Sequence, residues 1–147
     1  MSNEYAALNL KHPNLLKPGK TLLAGQWVSA DSSEVITVTN PATGLNIGSV
    51  PKMGTKETER AIAASSVAQK QWKTLTAAAR GAILKRWFDL IKLHVEDLAQ
   101  ILTAEQGKPL TEARGEVNYG ASFIEWFAEE AKRVYGETIP SPSNDRR

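Results

Sequence analysis

The chain has 147 residues, 41% of them hydrophobic and 23% charged, with a net charge of +2, which is the make-up of one soluble globular domain with no room for two ordinary ones. So small a charge, with acidic and basic residues alternating along helix faces, argues against a nucleic-acid partner. Cysteine is absent, which excludes a disulfide framework, a cysteine nucleophile and a thiolate metal site within these residues. No apolar run approaches the roughly 20 residues of a membrane span, the opening MSNEYAALNLKH lacks the layout of a secretory signal, and the expectation is a cytoplasmic protein.

Residues 1–20 contain Pro13, Pro18 and Gly19 and show no sustained period. They read as an arm or loosely attached leader that Leu8, Leu10, Leu15 and Leu16 could dock. From Thr21 to Val50 the pattern is one of short strands. TLLAGQWV turns at Gly25, and VITVTN alternates with β-branched residues. In Asn40-Pro41-Ala42-Thr43-Gly44 the asparagine bonds its own backbone, the proline presets φ and the glycine accepts positive φ. NIGSVP closes the strand region at Pro51.

Helix signals follow. Thr55 is the expected N-cap of a first helix reaching Lys73, with Glu57 and Glu59 in its first turn. Thr58, Ala61, Ile62, Ser65, Ala68 and Trp72 share one face. Thr76 opens a second helix to about Leu93. Its apolar residues (Ile83, Leu84, Trp87, Phe88, Leu90 and Ile91) exceed one stripe, so it is expected to be mostly enclosed. A third runs from Val95 to Gln106 with Val95, Leu98, Ala99 and Leu102 inward, stopped by Gly107 and Pro109. The fourth and longest runs from Pro109, at home in a first turn, to Gly136 as a left-handed stop. Glu112 and Glu116 near its start and Lys132 and Arg133 near its end match the helix dipole.

This last helix carries two apolar rows. Ala113, Val117, Gly120, Ile124, Phe127, Ala131 and Tyr135 follow three- and four-residue spacing, while Tyr119, Phe123 and Trp126 form a second row. One stripe suffices for a surface helix; two stripes expect neighbours on two sides. After Gly136, ETIPSPSNDRR reads as a linker or loop.

Chemistry is sparse. His12 and His94 lie far apart in the chain, a metal needs three or four converging ligands, and nothing around either offers them; His94 reads as a helix cap. Gly115 and Gly120 stand like the glycines of a phosphate loop, but Ala121 and Ser122 follow where Lys and Ser/Thr are required, and the string lies within a helix. The glycines then serve close helix packing or leave space. Glu125, Glu129 and Glu130 read as a solvated face, with Glu129 and Arg133 paired at i,i+4. Trp72, Trp87 and Trp126 read as core, while Tyr119 and Phe123 are left open because the first row is enough to anchor the helix. The residues alone supply no self-contained active site.

Four strings in order, LLAGQWV, VTNPATGLNIGSVPKMG, LAQILTAEQGKPLTEARGEV and YGASFIEWFAEEAKRVYGETIP, resemble one family. They are similar to the N-terminal part of aldehyde dehydrogenases, most closely the succinate-semialdehyde dehydrogenase branch, over about Thr21 to Pro140. The resemblance implies an α/β parent fold with a Rossmann-like NAD(P)-binding domain, a catalytic domain and a small oligomerisation element. This segment would contribute four helices with short strands at its N-terminal end. It implies the start of the NAD(P)-binding domain over 21–140; the arm over 1–20, read from the residues, falls outside the resemblance, and 141–147 reads as a linker. Such enzymes oxidise a small aldehyde, here a semialdehyde, with NAD or NADP, as dimers or tetramers. A cysteine attacks the carbonyl, hydride passes to the nicotinamide and a glutamate activates the water that releases the acid. Nucleophile, general base and cofactor loops all lie outside these residues, so the chain alone is expected to be inactive.

The resemblance also implies two sets of positions. Glu116, Tyr119, Gly120 and Phe123 would line the substrate entrance. Glu105, with main-chain oxygens near Thr39, would hold a structural monovalent cation, as a carboxylate with carbonyls suits a hard ion; on the residues alone Glu105 simply ends the third helix, and that reading is preferred. The second stripe of the last helix would face later segments, leaving several hundred Å² of apolar surface bare in this chain. The alternative is a free-standing helical module that grips a protein partner with the Tyr119–Phe123–Trp126 face.

Overall fold

A computed structural model of the chain describes residues 8–144. The expected arm and linker each run past these limits, and their residues 1–7 and 145–147 lie outside the described residues. The elements are β1 (Thr21–Leu23), β2 (Gln26–Val28), β3 (Val35–Thr39), β4 (Asn46–Pro51), α1 (Thr55–Trp72), α2 (Ala77–Leu93), α3 (Val95–Gln106) and α4 (Leu110–Glu130), with a single 3-10 turn at Pro13–Leu15 before them.

The strands form two antiparallel hairpins, β1–β2 and β3–β4. No parallel sheet is formed among the described residues. The first hairpin turns through Ala24 and Gly25, both at positive φ (49° and 80°), the two-residue loop whose twist matches its flanking strands. The second turns as its sequence dictates: the Asn40 side-chain oxygen accepts the Ala42 N–H at 2.9 Å and Gly44 takes φ 70°. Its register shifts between Val38, opposite Gly48, and Thr39, opposite Asn46. The residue skipped on β4 is Ile47, and this bulge turns it inward, where it is buried.

Residues 8–20 are not loosely attached. The backbone N–H groups of Lys11 and His12 each donate to the Asp97 carboxylate at 2.9 Å, and the Gly19 N–H donates to the Ser49 carbonyl at 2.9 Å. The leader is thereby docked on α3 and β4.

The N-cap of α1 is Gly54, one residue before the expected Thr55. A threonine hydroxyl is not needed there, because Glu57 reaches back and accepts the N–H groups of Gly54 at 3.1 Å and of Asp31 at 3.0 Å. Those bonds, the Asp31 one foremost, hold the Glu57 carboxyl below its ordinary pKa against the opposing effect of burial. Arg60 adds a two-pronged pair to Asp31 at 2.9 and 2.7 Å. Beyond this anchored turn α1 makes no extensive contact with any other element. Its shared face is only partly covered: Ala61 and Trp72 are half-buried and Ile62 is exposed.

Thr76 caps α2, its hydroxyl accepting the Ala79 N–H at 3.2 Å. One stripe of α2 is covered, through Gly81, Leu84, Phe88 and Ile91, while Ile83, Trp87 and Leu90 are exposed. The expectation that α2 is mostly enclosed, with Trp87 in the core, is therefore corrected: α3 and α4 cover one side only. His94 ends α2 and begins α3, and Gly107, at φ 75°, ends α3 in the left-handed conformation.

α4 runs from Leu110, with Pro109 as its N-cap, and ends at Glu130, well short of Gly136. Lys132 and Arg133 donate their N–H groups to the carbonyls of Glu129 and Glu130 in a final turn. Val134 and Tyr135 beyond it are more than 80% exposed. Another helical turn there would bury nothing, and helices in proteins owe most of their stability to burial. Gly136 is not among the glycines at positive φ.

The core is the pair of seams α2–α4 and α3–α4, and it is lined by small residues: Ala99, Ala104, Ala113, Ala121 and Ala128 are all buried. The closest approach is at Gly81, where an added Cβ would stand 2.8 Å from the Ala128 carbonyl oxygen. The accessible surface totals 11116 Å² for a 16.0 kDa chain, against about 7,400 Å² for a compact monomer of that mass. The excess reflects side chains that other segments do not cover.

Candidate functional site

The inner face of α4 is the row Ala113, Val117, Ala121, Ile124 and Ala128, each buried or half-buried. About a third of a turn away, at 3.6 residues per turn, lies the outer face: Glu116, Tyr119, Phe123, Trp126 and Phe127. The expected packing row thus mixed two faces. Phe127 and Tyr135 were assigned to it and are exposed, as is Trp126, expected in the core. A helical-angle count places Phe127 nearer to Phe123 than to Ala121.

All four residues expected at a substrate entrance share this outer face. Tyr119 is 66% and Phe123 47% exposed, and their rings meet edge-to-face with centroids 4.9 Å apart. Glu116 forms an ion pair with Lys108 across the α3–α4 corner. Gly120 and Gly115 meet nothing within 4 Å, so they leave space and do not serve close packing; Gly81 does that instead. Toward its C-terminal end the same helix borders an open groove of about 600 Å³ lined by Phe123, Trp126, Phe127, Glu130 and Arg133 among others.

The acidic residues of α4 divide. Glu125 is half-buried and bridges to α2, accepting from Lys85 Nζ at 2.9 Å. That bond, with the charges of Glu125 and Asp89, raises the Lys85 pKa against partial burial. Lys85 also lies 4.1 Å from the centroid of the Phe88 ring. Glu129 pairs with Lys132 at 3.5 Å, and Glu130 pairs with Arg133. The expected Glu129–Arg133 pair is replaced by two i,i+3 pairs, because the helix ends at Glu130 and the i+4 geometry is lost.

Glu105 lies in the last turn of α3, exposed and with no hydrogen bond or ion pair among the described residues. It borders a cavity of about 220 Å³ together with Val38, Ile47, Trp27 and Ile101. Val38 is the neighbour of Thr39, which ends β3; Thr39 itself does not line this cavity.

The expectation that nothing converges on the histidines is overturned. His12 Nδ1 lies 3.0 Å from Asp97 Oδ2, and the His12 and His94 rings meet at nearly a right angle with centroids 4.4 Å apart. Burial alone would raise the Asp97 carboxyl, but the N–H of Lys11 and the ring and N–H of His12 outweigh it and hold its pKa below the ordinary carboxylate value. Their separation of 85 positions hid this from sequence reading; the readable signal was His94 and Asp97 one helical turn apart.

No parallel sheet or phosphate-cradling loop is formed among the described residues. Gly115 and Gly120 lie inside α4, where backbone N–H groups are already bonded. Nor is any described helix long and apolar enough to cross a membrane.

The aldehyde dehydrogenase family model matches residues 27–147. The chain is 59% identical over 128 residues to a succinate semialdehyde dehydrogenase of Acinetobacter baylyi, covering 87% of this chain and 26% of that protein. It is 56% identical over 140 residues to a 3-sulfolactaldehyde dehydrogenase of Pseudomonas putida, covering 95% and 29%. Among solved structures, an aldehyde dehydrogenase of Brucella melitensis biovar abortus superimposes with a TM-score of 0.90 at 55% identity, over 94% of this chain and 28% of that one. The chain thus spans less than a third of the length of these relatives.

Proposed function

The chain belongs to the aldehyde dehydrogenase family, and we propose that it acts as the N-terminal portion of an NAD(P)-dependent enzyme that oxidises a small semialdehyde to the acid. The supporting observation is the company it keeps at 50–59% identity: relatives named for 3-sulfolactaldehyde, glutarate semialdehyde and succinate semialdehyde. Each of those substrates is a short aldehyde with an anionic group at its far end. An aldehyde of that form is the proposed substrate class.

The chemistry itself is not carried by these residues. They contain no cysteine and, among the described residues, no phosphate cradle for the dinucleotide, so neither nucleophilic attack nor hydride transfer is derived from them. Their contribution is structural and positional. The outer face of α4, with Glu116, Tyr119, Gly120 and Phe123, forms one wall of the substrate entrance. The aromatic edges supply an apolar lining and the Lys108–Glu116 pair its charged rim. Glu105 is proposed as the side-chain ligand of a monovalent cation completed by main-chain oxygens near Thr39. Its freedom from other partners and its place beside β3 support that reading. Cytoplasmic residence and assembly into a dimer or tetramer belong to the same proposal.

The test is the coding DNA past codon 147, followed by an NAD(P)H absorbance assay of its product with succinate semialdehyde. An open frame reaching a glycine-rich loop and a cysteine, with turnover by its product and none by the 147-residue chain, is the expected result. Turnover by the pure 147-residue chain would refute the division of labour proposed here.

A further inference from the structure

His12, His94 and Asp97 present one ligand atom each, all within 4.8 Å of one another, and no other such trio occurs among the described residues. We propose that they form a transition-metal site of the zinc class that clamps the N-terminal segment onto the α2–α3 corner.

The donor set is the first argument. Two imidazoles and a carboxylate are the ligands zinc takes when it keeps a fourth position for water. Geometry is the second. Two donors each about 2.1 Å from one ion stand about 3.0–3.4 Å apart in right-angled to tetrahedral arrangements. His12 Nδ1 and Asp97 Oδ2 are already 3.0 Å apart. The His12 and His94 rings stand nearly perpendicular with centroids 4.4 Å apart, and a ligand atom of each lies within 4.8 Å of the other and of an Asp97 oxygen.

The third argument is what the site lacks. His94 Nδ1 is buried and has no protein hydrogen-bond partner among the described residues, which leaves its lone pair or N–H open to a ligand. His12, by contrast, is about half exposed, which gives an ion a path in. Asp97 is only 2% exposed. The N–H groups of Lys11 and His12 hold its carboxylate in place, as an outer shell orients a ligating carboxylate. Metal binding to the His12 ring and an Asp97 oxygen leaves the backbone N–H bonds of Lys11 and His12 to that carboxylate in place.

This site is separate from the one proposed at Glu105, which offers only oxygens and suits a hard monovalent ion. It also involves no residue of the α4 outer face.

The experiment is titration of the protein with Zn²⁺ by calorimetry and with Co²⁺ by visible absorption, in a non-chelating buffer. Expected are one equivalent of tightly bound metal, a rise in thermal midpoint on zinc addition, and Co²⁺ bands of four-coordinate intensity. His12→Asn keeps an N–H donor toward Asp97 but loses the imidazole. It should retain the helical circular dichroism and bind zinc at least about 10–100-fold more weakly, the loss that even an outer-shell change produces. No stoichiometric binding by the wild-type protein, or equal binding by His12→Asn, would overturn the proposal. The Co²⁺ spectrum of the wild type tests the site without any variant.

Discussion

The two faces of α4 follow opposite rules. The inner one is built from alanines that vanish from solvent: Ala113 at 0%, Ala121 at 1% and Ala128 at 2% exposure. The outer one carries Tyr119, Phe123, Trp126 and Phe127, and none of these is less than 47% exposed. Residue size, not hydrophobicity alone, separates them. Small side chains let α2 and α4 close until Gly81 meets the Ala128 backbone, and dispersion contacts are then densest where the side chains are least conspicuous. Large aromatic rings are worth burying only when a partner surface exists, and no described segment supplies one. A contiguous apolar face of this kind marks a surface meant to be covered.

The sharpest way to break the comparison is at the seam. Gly81→Ala in a helix interior ordinarily gains up to about 1 kcal/mol. Here the new methyl meets a backbone carbonyl at 2.8 Å, and a loss of about 1–3 kcal/mol is expected from overpacking, read as a lower urea midpoint with unchanged slope. A gain would mean that the seam is not closely packed.

A second effect belongs to the covered side. The carboxyl of Asp97 has a depressed pKa in the folded protein. Its stabilisation is therefore complete above its unfolded value of about 3.9 and is lost as pH falls through the lower folded value. Glu57, also depressed, adds to the same acid limb. Asp97→Asn should lower the thermal midpoint at pH 7 and flatten its decline between about pH 5 and pH 2. An identical acid profile in the variant would contradict the assignment.

The smallest change is expected on the outer face. Phe123→Ser and Trp126→Ser should shift stability by no more than about 0.5 kcal/mol, as substitutions at exposed sites do, while reducing binding of an apolar dye and any self-association. A loss of several kcal/mol would show that these rings are covered.

Local features were legible from sequence wherever one residue type has one local consequence. Gly25, Asn40 to Gly44, Thr76 and Gly107 turn or cap where their chemistry demands. The C-terminal end of α4 was misjudged because Lys132, Arg133 and Gly136 are stop signals with no burial behind them. The inner stripe was misread because large apolar residues dominate a hydrophobic pattern, whereas close-packed helices bury alanine. Trp87 and Trp126 went astray for the same reason: burial of a tryptophan depends on what lies opposite, and that is a tertiary fact. His12 and Asp97 meet only because Asp97 caps the backbone of the leader, which no periodicity announces. The second stripe of Tyr119, Phe123 and Trp126 was legible from spacing, and all three are exposed; that Glu116 and Gly120 lie beside it was not, because neither is a large apolar residue.

The claim beneath all of this is that the outer face of α4 is bare in this chain. The direct measurement is acrylamide quenching of Trp126 in a protein whose other three tryptophans are replaced by phenylalanine, with sedimentation to establish that the sample is monomeric. The account predicts quenching close to that of a free tryptophan in solvent. Strong protection of Trp126 in a folded monomer would contradict it.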